Sequence, residues 1–172
     1  MSTKARIIVA VLSLSAAGFV ARTTHEGFTE VATVPTKGDR PTNGFGMTWR
    51  EDGTPVQIGD KTNPVQALQR TLAYTEKADA RLRQCVTAPL HQKEFDLLSD
   101  HGYQYGIEST CKSSMVRLVN AGDYAGACQA YLQYRFAAGY DCSSLVDGKP
   151  NKRCYGVYQR SKDRRDQCMA VQ

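Results

Sequence analysis

Residues 23–48, TTHEGFTEVATVPTKGDRPTNGFGMT, decide how this chain is read. They set one glutamate, Glu26, ahead of a Gly-rich turn-and-strand run that holds Asp39, Thr42, Gly44 and Gly46. Thr42 follows Glu26 by sixteen positions. That spacing lets a carboxyl at a helix end face polar groups on a small hairpin. An acid on one element and a water-holding group on another, across a cleft, is a common arrangement for breaking glycosidic bonds. A glutamic acid protonates a leaving oxygen when burial keeps it in its acid form, and a second group must then hold the attacking water. Asp39 and Thr42 are the candidates for that second role.

Upstream, Lys4 and Arg6 precede IIVAVLSLSAAGFVA at residues 7–21, and Arg22 follows. Basic residues ahead of a short apolar run have the form of an export signal. The run is shorter than the ~20 residues of a stable membrane span and is diluted with Ala, Gly and Ser. A cleaved signal peptide, a permanent anchor, a marginal anchor that later leaves the bilayer uncleaved, and a buried core helix all remain open. Residues 1–22 are set apart as this segment and residues 23–172 as the domain. The positive residues at the start place the N-terminus in the cytoplasm and the domain outside it.

Downstream, residues 27–59 are punctuated by glycine and proline, which predicts a small hairpin-rich lobe. Asn63-Pro64 predicts a helix start, as N-cap and first-turn proline. Val65, Leu68 and Leu72 open an apolar face at helical spacing, and Leu82 and Val86 resume it. Thr75 and Asp79 fall on that face between them, so the middle of this helix is expected to be more exposed than its ends. Further helices are expected over residues 92–105, 112–120, 123–137 and 155–168, with their aromatic residues as core. The fold class is therefore α+β, a small β-hairpin lobe followed by a larger helical lobe with a cleft between them.

The chain has 172 residues, enough for one domain with a core. With 41% hydrophobic and 23% charged residues it has the composition of an ordered protein. A net charge of +5 favours anionic polymers without choosing among them. Cys85, Cys111, Cys128, Cys142, Cys154 and Cys168 follow an export-like signal, which predicts three disulfides. Their spacings fit no zinc pattern. Cys142 with Cys154 is the simplest pair, since the segment between them is polar, and closing such a loop stabilises by about 3 kcal/mol. Export and disulfides disfavour nucleic acid as a partner. No metal or organic cofactor is indicated. His91 and His101 are too scattered for a metal site, and GxSxG, P-loop and dinucleotide patterns are absent. The C-terminal basic residues have two readings, a solvated helix face or attraction to anionic cell wall.

HEGF at 25–28 and PTNGFGMT at 41–48 resemble the active-site region of phage-type lysozymes, glycoside hydrolase family 24. FDLLSDHGYQYG at 95–106, SSMVRLVNAGDYAGAC at 113–128 and CYGVYQRSKDRRDQC at 154–168 resemble further segments of that family. The resemblance implies a monomeric endolysin, a muramidase hydrolysing the β-1,4 bond between N-acetylmuramic acid and N-acetylglucosamine in peptidoglycan. It implies inverting hydrolysis with Glu26 as acid, and Asp39 with Thr42 positioning water. The N-terminus resembles the signal-anchor-release type. Residues 7–21 would tether the enzyme in the host inner membrane, then free it into the periplasm. The family pattern sets an acid or Cys nine positions after the Glu, where Pro35 stands here, while counting back from Thr42 puts Thr36 in that seat. Asp39 is the nearest carboxylate. Met47 stands where His or Thr is usual, and Gln104 where Asn is common. A lytic transglycosylase and a non-catalytic wall-binding protein on the same fold are the alternatives.

Overall fold

A computed structural model describes residues 5–35, 38–137, 139–146 and 148–172. The chain divides into two compact units, residues 13–81, and residues 5–12 together with 82–172. The class is α+β as the sequence predicts. Among the described residues there are seven α-helices and three two-stranded antiparallel sheets.

In the unit of residues 13–81, helix α1 (Ala16–Glu26) is capped by Ser15, whose Oγ accepts the Gly18 N–H at 3.0 Å. It continues through residue 22, and Arg22 is itself buried. Strand β1 (Thr29–Thr33) pairs antiparallel with β2 (Thr42–Gly44), in the register Thr29 with Gly44 and Thr33 with Thr42. Bridges from Val31 to Lys61 and from Trp49 to Pro55 extend this hairpin region. Helix α2 (Pro64–Cys85) then opens as expected, with Asn63 Oδ1 accepting the Gln66 N–H at 2.9 Å.

The buried face of α2 corrects the expectation. Val65, Leu68 and Leu72 are exposed, whereas Ala67, Thr71, Thr75, Ala78 and Asp79 are buried. The middle of the helix is covered because the preceding chain supplies partners for its polar groups. Asp79 accepts the Leu14 N–H at 2.7 Å, and Thr75 Oγ1 accepts from Arg22 Nη1 at 2.8 Å. The Thr71 and Thr75 hydroxyls donate to the carbonyls one turn back, at 2.9 and 2.7 Å. A stripe of Ala and hydrogen-bonded Thr buries well but carries no apolar periodicity.

The other unit holds the larger core. Leu82 and Val86 pack with residues of α3 (Gln92–Tyr105), α5 (Ser114–Asn120) and α6 (Tyr124–Ala130), among them Phe95, Leu98, Met115 and Val119. A further short helix, α4 (Ile107–Cys111), was not anticipated; Gly106, at φ 87°, separates it from α3. The helix expected over 123–137 ends at Ala130. A 3-10 turn at Tyr131–Gln133 follows, then the hairpin β3 (Phe136–Ala137) and β4 (Tyr140–Asp141). Phe136 is consequently exposed rather than core, while Tyr131 is buried. A second hairpin pairs β5 (Leu145–Val146) with β6 (Lys149–Pro150), and α7 (Tyr155–Met169) closes the chain. The disulfides are Cys85–Cys111, Cys128–Cys168 and the expected Cys142–Cys154. Arg164 is not a surface charge. It is buried, and donates from Nε and Nη2 to Asp100 Oδ2 and from Nη2 to Gln104 Oε1.

Residues 5–12 belong to this core. Ile7 exchanges both backbone hydrogen bonds with Leu90 at 2.9 Å, and Val9 and Leu12 are buried among the residues just named. Arg6 makes two hydrogen bonds to the buried Glu94 carboxylate, at 3.1 and 3.0 Å, and lies 3.6 Å over the Tyr124 ring. The His91 N–H and Gln172 Nε2 donate to the same carboxylate, at 2.8 and 2.9 Å. A buried carboxylate is tolerated only with such a set of donors. No helix among the described residues is long and apolar enough to cross a membrane.

Candidate active site

Glu26 is the last residue of α1 and is half-buried. The helix stops there because Gly27 takes φ 68°, ψ 169°, a conformation open to glycine, while its N–H still bonds the Thr23 carbonyl at 3.1 Å. The chain therefore turns sharply from the helix into β1, leaving the Glu26 side chain at the helix end.

Two close approaches explain the Gly-x-Gly that follows Thr42. A Cβ on Gly46 (φ 77°) would lie 3.1 Å from Glu26 Oε2, so the carboxylate rests against bare backbone there. A Cβ on Gly44 (φ 63°) would meet Ala67 Cβ at 2.8 Å and Arg70 Nη2 at 3.0 Å. The first glycine lets β2 lie on α2, and the second admits the acid. Between them the chain forms a tight bend, with Asn43 and Met47 exchanging both backbone hydrogen bonds at 3.2 and 3.0 Å. Met47 is buried, so its side chain serves packing.

Thr42 opens β2 and is half-buried, in the same hairpin as Gly46. Glu26, Gly46 and Thr42 are thus brought into one unit by contact and by strand connection. Asp39 lies exposed at a bend in the β1–β2 connection, with no hydrogen bond or ion pair to another described residue. Thr36, the residue counted back to the acid seat, lies outside the described residues. His25 is exposed in the last turn of α1. His91 caps α3, and His101 is buried with Nδ1 2.8 Å from Thr110 Oγ1. Gln104 is engaged by Arg164.

Several neighbours escaped the sequence reading. Phe28 and Phe45, each next to one of the glycines, pair at 5.7 Å between ring centroids. Asn43 is buried and bonded to Arg70 of α2 at 2.8 Å. Alternation along β2 offered a signal for Asn43, since the residue after an active-face Thr turns to the opposite side. A lone arginine on a helix offered none.

The Phage lysozyme family model matches residues 23–153, most of the chain. The chain belongs to the phage lysozyme family. Among curated relatives, this phage lysozyme is 29% identical to the endolysin of Salmonella phage P22 over 118 residues, covering 66% of this chain and 77% of that one. It is 31% identical to the SAR-endolysin of Escherichia phage N15 over 110 residues, covering 63% of this chain and 61% of that one. Among solved structures, the endolysin from Escherichia coli O157:H7 phage FAHEc1 superposes with a TM-score of 0.75 at 30% identity, covering 92% of this chain and 94% of that one. The fold of this phage lysozyme is accordingly lysozyme-like, and its class is glycoside hydrolase.

Proposed function

We propose that this lysozyme hydrolyses the β-1,4 bond between N-acetylmuramic acid and N-acetylglucosamine of peptidoglycan, with Glu26 as general acid. The observation that carries the assignment is the seat of the Glu26 carboxylate against Gly46, in the hairpin that begins with Thr42. Glu26 gives its proton to the glycosidic oxygen as the bond to the anomeric carbon breaks. Thr42 holds the water that adds to that carbon from the opposite face, and Asp39 takes the proton the water loses. Glu26→Gln keeps the shape of the side chain and removes the proton, so it tests the role directly. Clearing of cell walls should be lost while the thermal midpoint stays put. Wild-type clearing by the variant would remove Glu26 from the mechanism.

The exposed position of Asp39 favours a second reading, a lytic transglycosylase, which needs one catalytic acid and no water-holding carboxylate. Anhydro-muramic product ends would establish it, and reducing ends would refute it.

Residues 7–21 tether the enzyme to the inner membrane of the host until release into the periplasm. Their short apolar composition and the similarity to a relative named as a SAR-endolysin support this. The packing of residues 7–12 on the core and the place of residues 16–21 within α1 support a released form in which this segment has left the bilayer. While residues 7–21 sit in the bilayer, α1 cannot present Glu26 to Gly46 as it does here, because Glu26 stays within about 18 Å of the last membrane residue. An enzyme lacking residues 1–21 should be less active than the released full-length chain; higher activity would overturn this account of control.

A further inference from the structure

The strand that carries Thr42 is held from behind by a polar clamp. Asn43 is 1% exposed, and every face of it is used. Its backbone N–H and carbonyl bond Met47, its Nδ2 donates to the Asp60 carbonyl at 3.3 Å, and its Oδ1 accepts from Arg70 Nη2 at 2.8 Å. Beside it, Gly44 lets the β2 backbone approach Ala67 and the same Arg70 nitrogen. The Arg70 charge helps to hold the Asp60 carboxyl below its usual pKa, after the larger effects of Arg50 and the Gln57 N–H, while its hydrogen bond goes to the neutral Asn43 amide. A charge-assisted hydrogen bond is stronger than a neutral one and holds its partner in a defined direction.

We propose that Arg70 is a positioning residue, which through Asn43 sets the place of β2 and hence of Thr42 relative to the Glu26 carboxylate. The proposal rests on the reading of Thr42 as the water-holding group. Misplacing a reacting group by about 1 Å costs on the order of 100-fold in rate. Arg70 is well placed to cause such a shift, since Thr42 adjoins the residue it holds. Asn43 turns to the opposite side of the strand from Thr42, so the clamp works without touching substrate. On its open side Arg70 borders a cavity of about 360 Å³, lined also by Arg50, Asp60, Lys61 and Gln66. The space left by truncating Arg70 is therefore open to a guanidinium ion from solution.

The experiment compares the full-length enzyme with Arg70→Ala, Arg70→Lys and Thr42→Ala, on solubilised peptidoglycan, with kcat and KM taken from reducing-end release. Arg70→Ala should keep KM within roughly twofold and lose kcat by about 10- to 100-fold. Millimolar guanidinium should restore part of that loss in Arg70→Ala and none in Thr42→Ala, a readout that general destabilisation would not produce. Arg70→Lys keeps the charge but not the planar donor, and should fall between the wild type and Arg70→Ala. If Arg70→Ala does not fold, Arg70→Lys decides by the same kcat criterion. Wild-type kcat in folded Arg70 variants, with a loss in Thr42→Ala, overturns the clamp alone. Wild-type kcat in Thr42→Ala overturns the reading of Thr42 and the clamp with it.

Discussion

At the scale of single residues, the site depends on what is missing at position 46. Gly46 combines a positive φ with a Cβ direction that ends 3.1 Å from the Glu26 carboxylate. Gly46→Ala therefore strains the backbone and pushes the acid from its seat. The expected result is a loss of activity on peptidoglycan larger than the accompanying destabilisation of about 1 kcal/mol, measured by thermal and urea unfolding. Unchanged activity would mean that the Glu26–Gly46 contact is incidental. The place of Glu26 at a helix end beside the Gly-x-Gly hairpin was legible in the sequence because its neighbours announce it. His25, Gly27 and Phe28 precede a Gly-x-Gly at the right distance, and each glycine has a steric reason that the structure supplies. Its partner was less legible. The loop between β1 and β2 carries one residue more than the family spacing from the acid, and an insertion in a loop moves side chains in ways that counting cannot follow. Asp39 is exposed there, and its role remains a proposal tested by Asp39→Asn, which should lower kcat without altering wall binding.

At the scale of elements, α2 shows what periodicity misses. The sequence predicted its start, through Asn63 and Pro64, because a cap is local chemistry. It mispredicted the buried face, because Val65, Leu68 and Leu72 carry the apolar signal while Ala67, Thr71 and Thr75 carry the packing. Which stripe is covered was decided by α1, whose Arg22 needs the Thr75 hydroxyl as acceptor. Substitution separates the two stripes. Val65→Ser and Leu72→Ser should each change stability by no more than about 0.5 kcal/mol. Ala67→Val, at a position with no free surface beside Gly44, should cost about 1–3 kcal/mol by overpacking. Chemical denaturation decides between them, and a large cost at Leu72 with none at Ala67 would contradict the observed face. The helix expected through residue 137 failed for a related reason. The disulfide-linked segment after Ala130 folds as two short hairpins, whose turns at Gly139 and Gly148 take positive φ.

At the scale of the whole molecule, residues 5–12 have a place in the core of the fold. An apolar run of this kind suits a bilayer, but Val9 and Leu12 also suit a core, and Arg6 suits the buried Glu94. Removing residues 1–12 should lower global stability by several kcal/mol, given about 1.5–3 kcal/mol for each buried aliphatic side chain and the carboxylate left without its arginine. Equal stability of the shortened and full-length chains in urea would contradict this packing. Stability should also depend on His101. Burial, aided by the Arg164 charge, depresses its pKa from 6.5 to about 3. Below 6.5 the unfolded chain takes up a proton that the native His101 refuses until about pH 3, so stability falls as pH drops through that window. The slope is at most ~1.4 kcal/mol per pH unit. Read between about pH 5 and 6.5, above the carboxylate range, His101→Phe should flatten it. An unchanged slope would assign the pH dependence elsewhere.

The most direct test of the central claim is mass-spectrometric analysis of the muropeptides released from purified peptidoglycan by the wild type and by Glu26→Gln. The account predicts reducing N-acetylmuramic ends from the wild type and no products from the folded variant. Products from Glu26→Gln at the wild-type rate, or anhydro-muramic ends from the wild type, would contradict it.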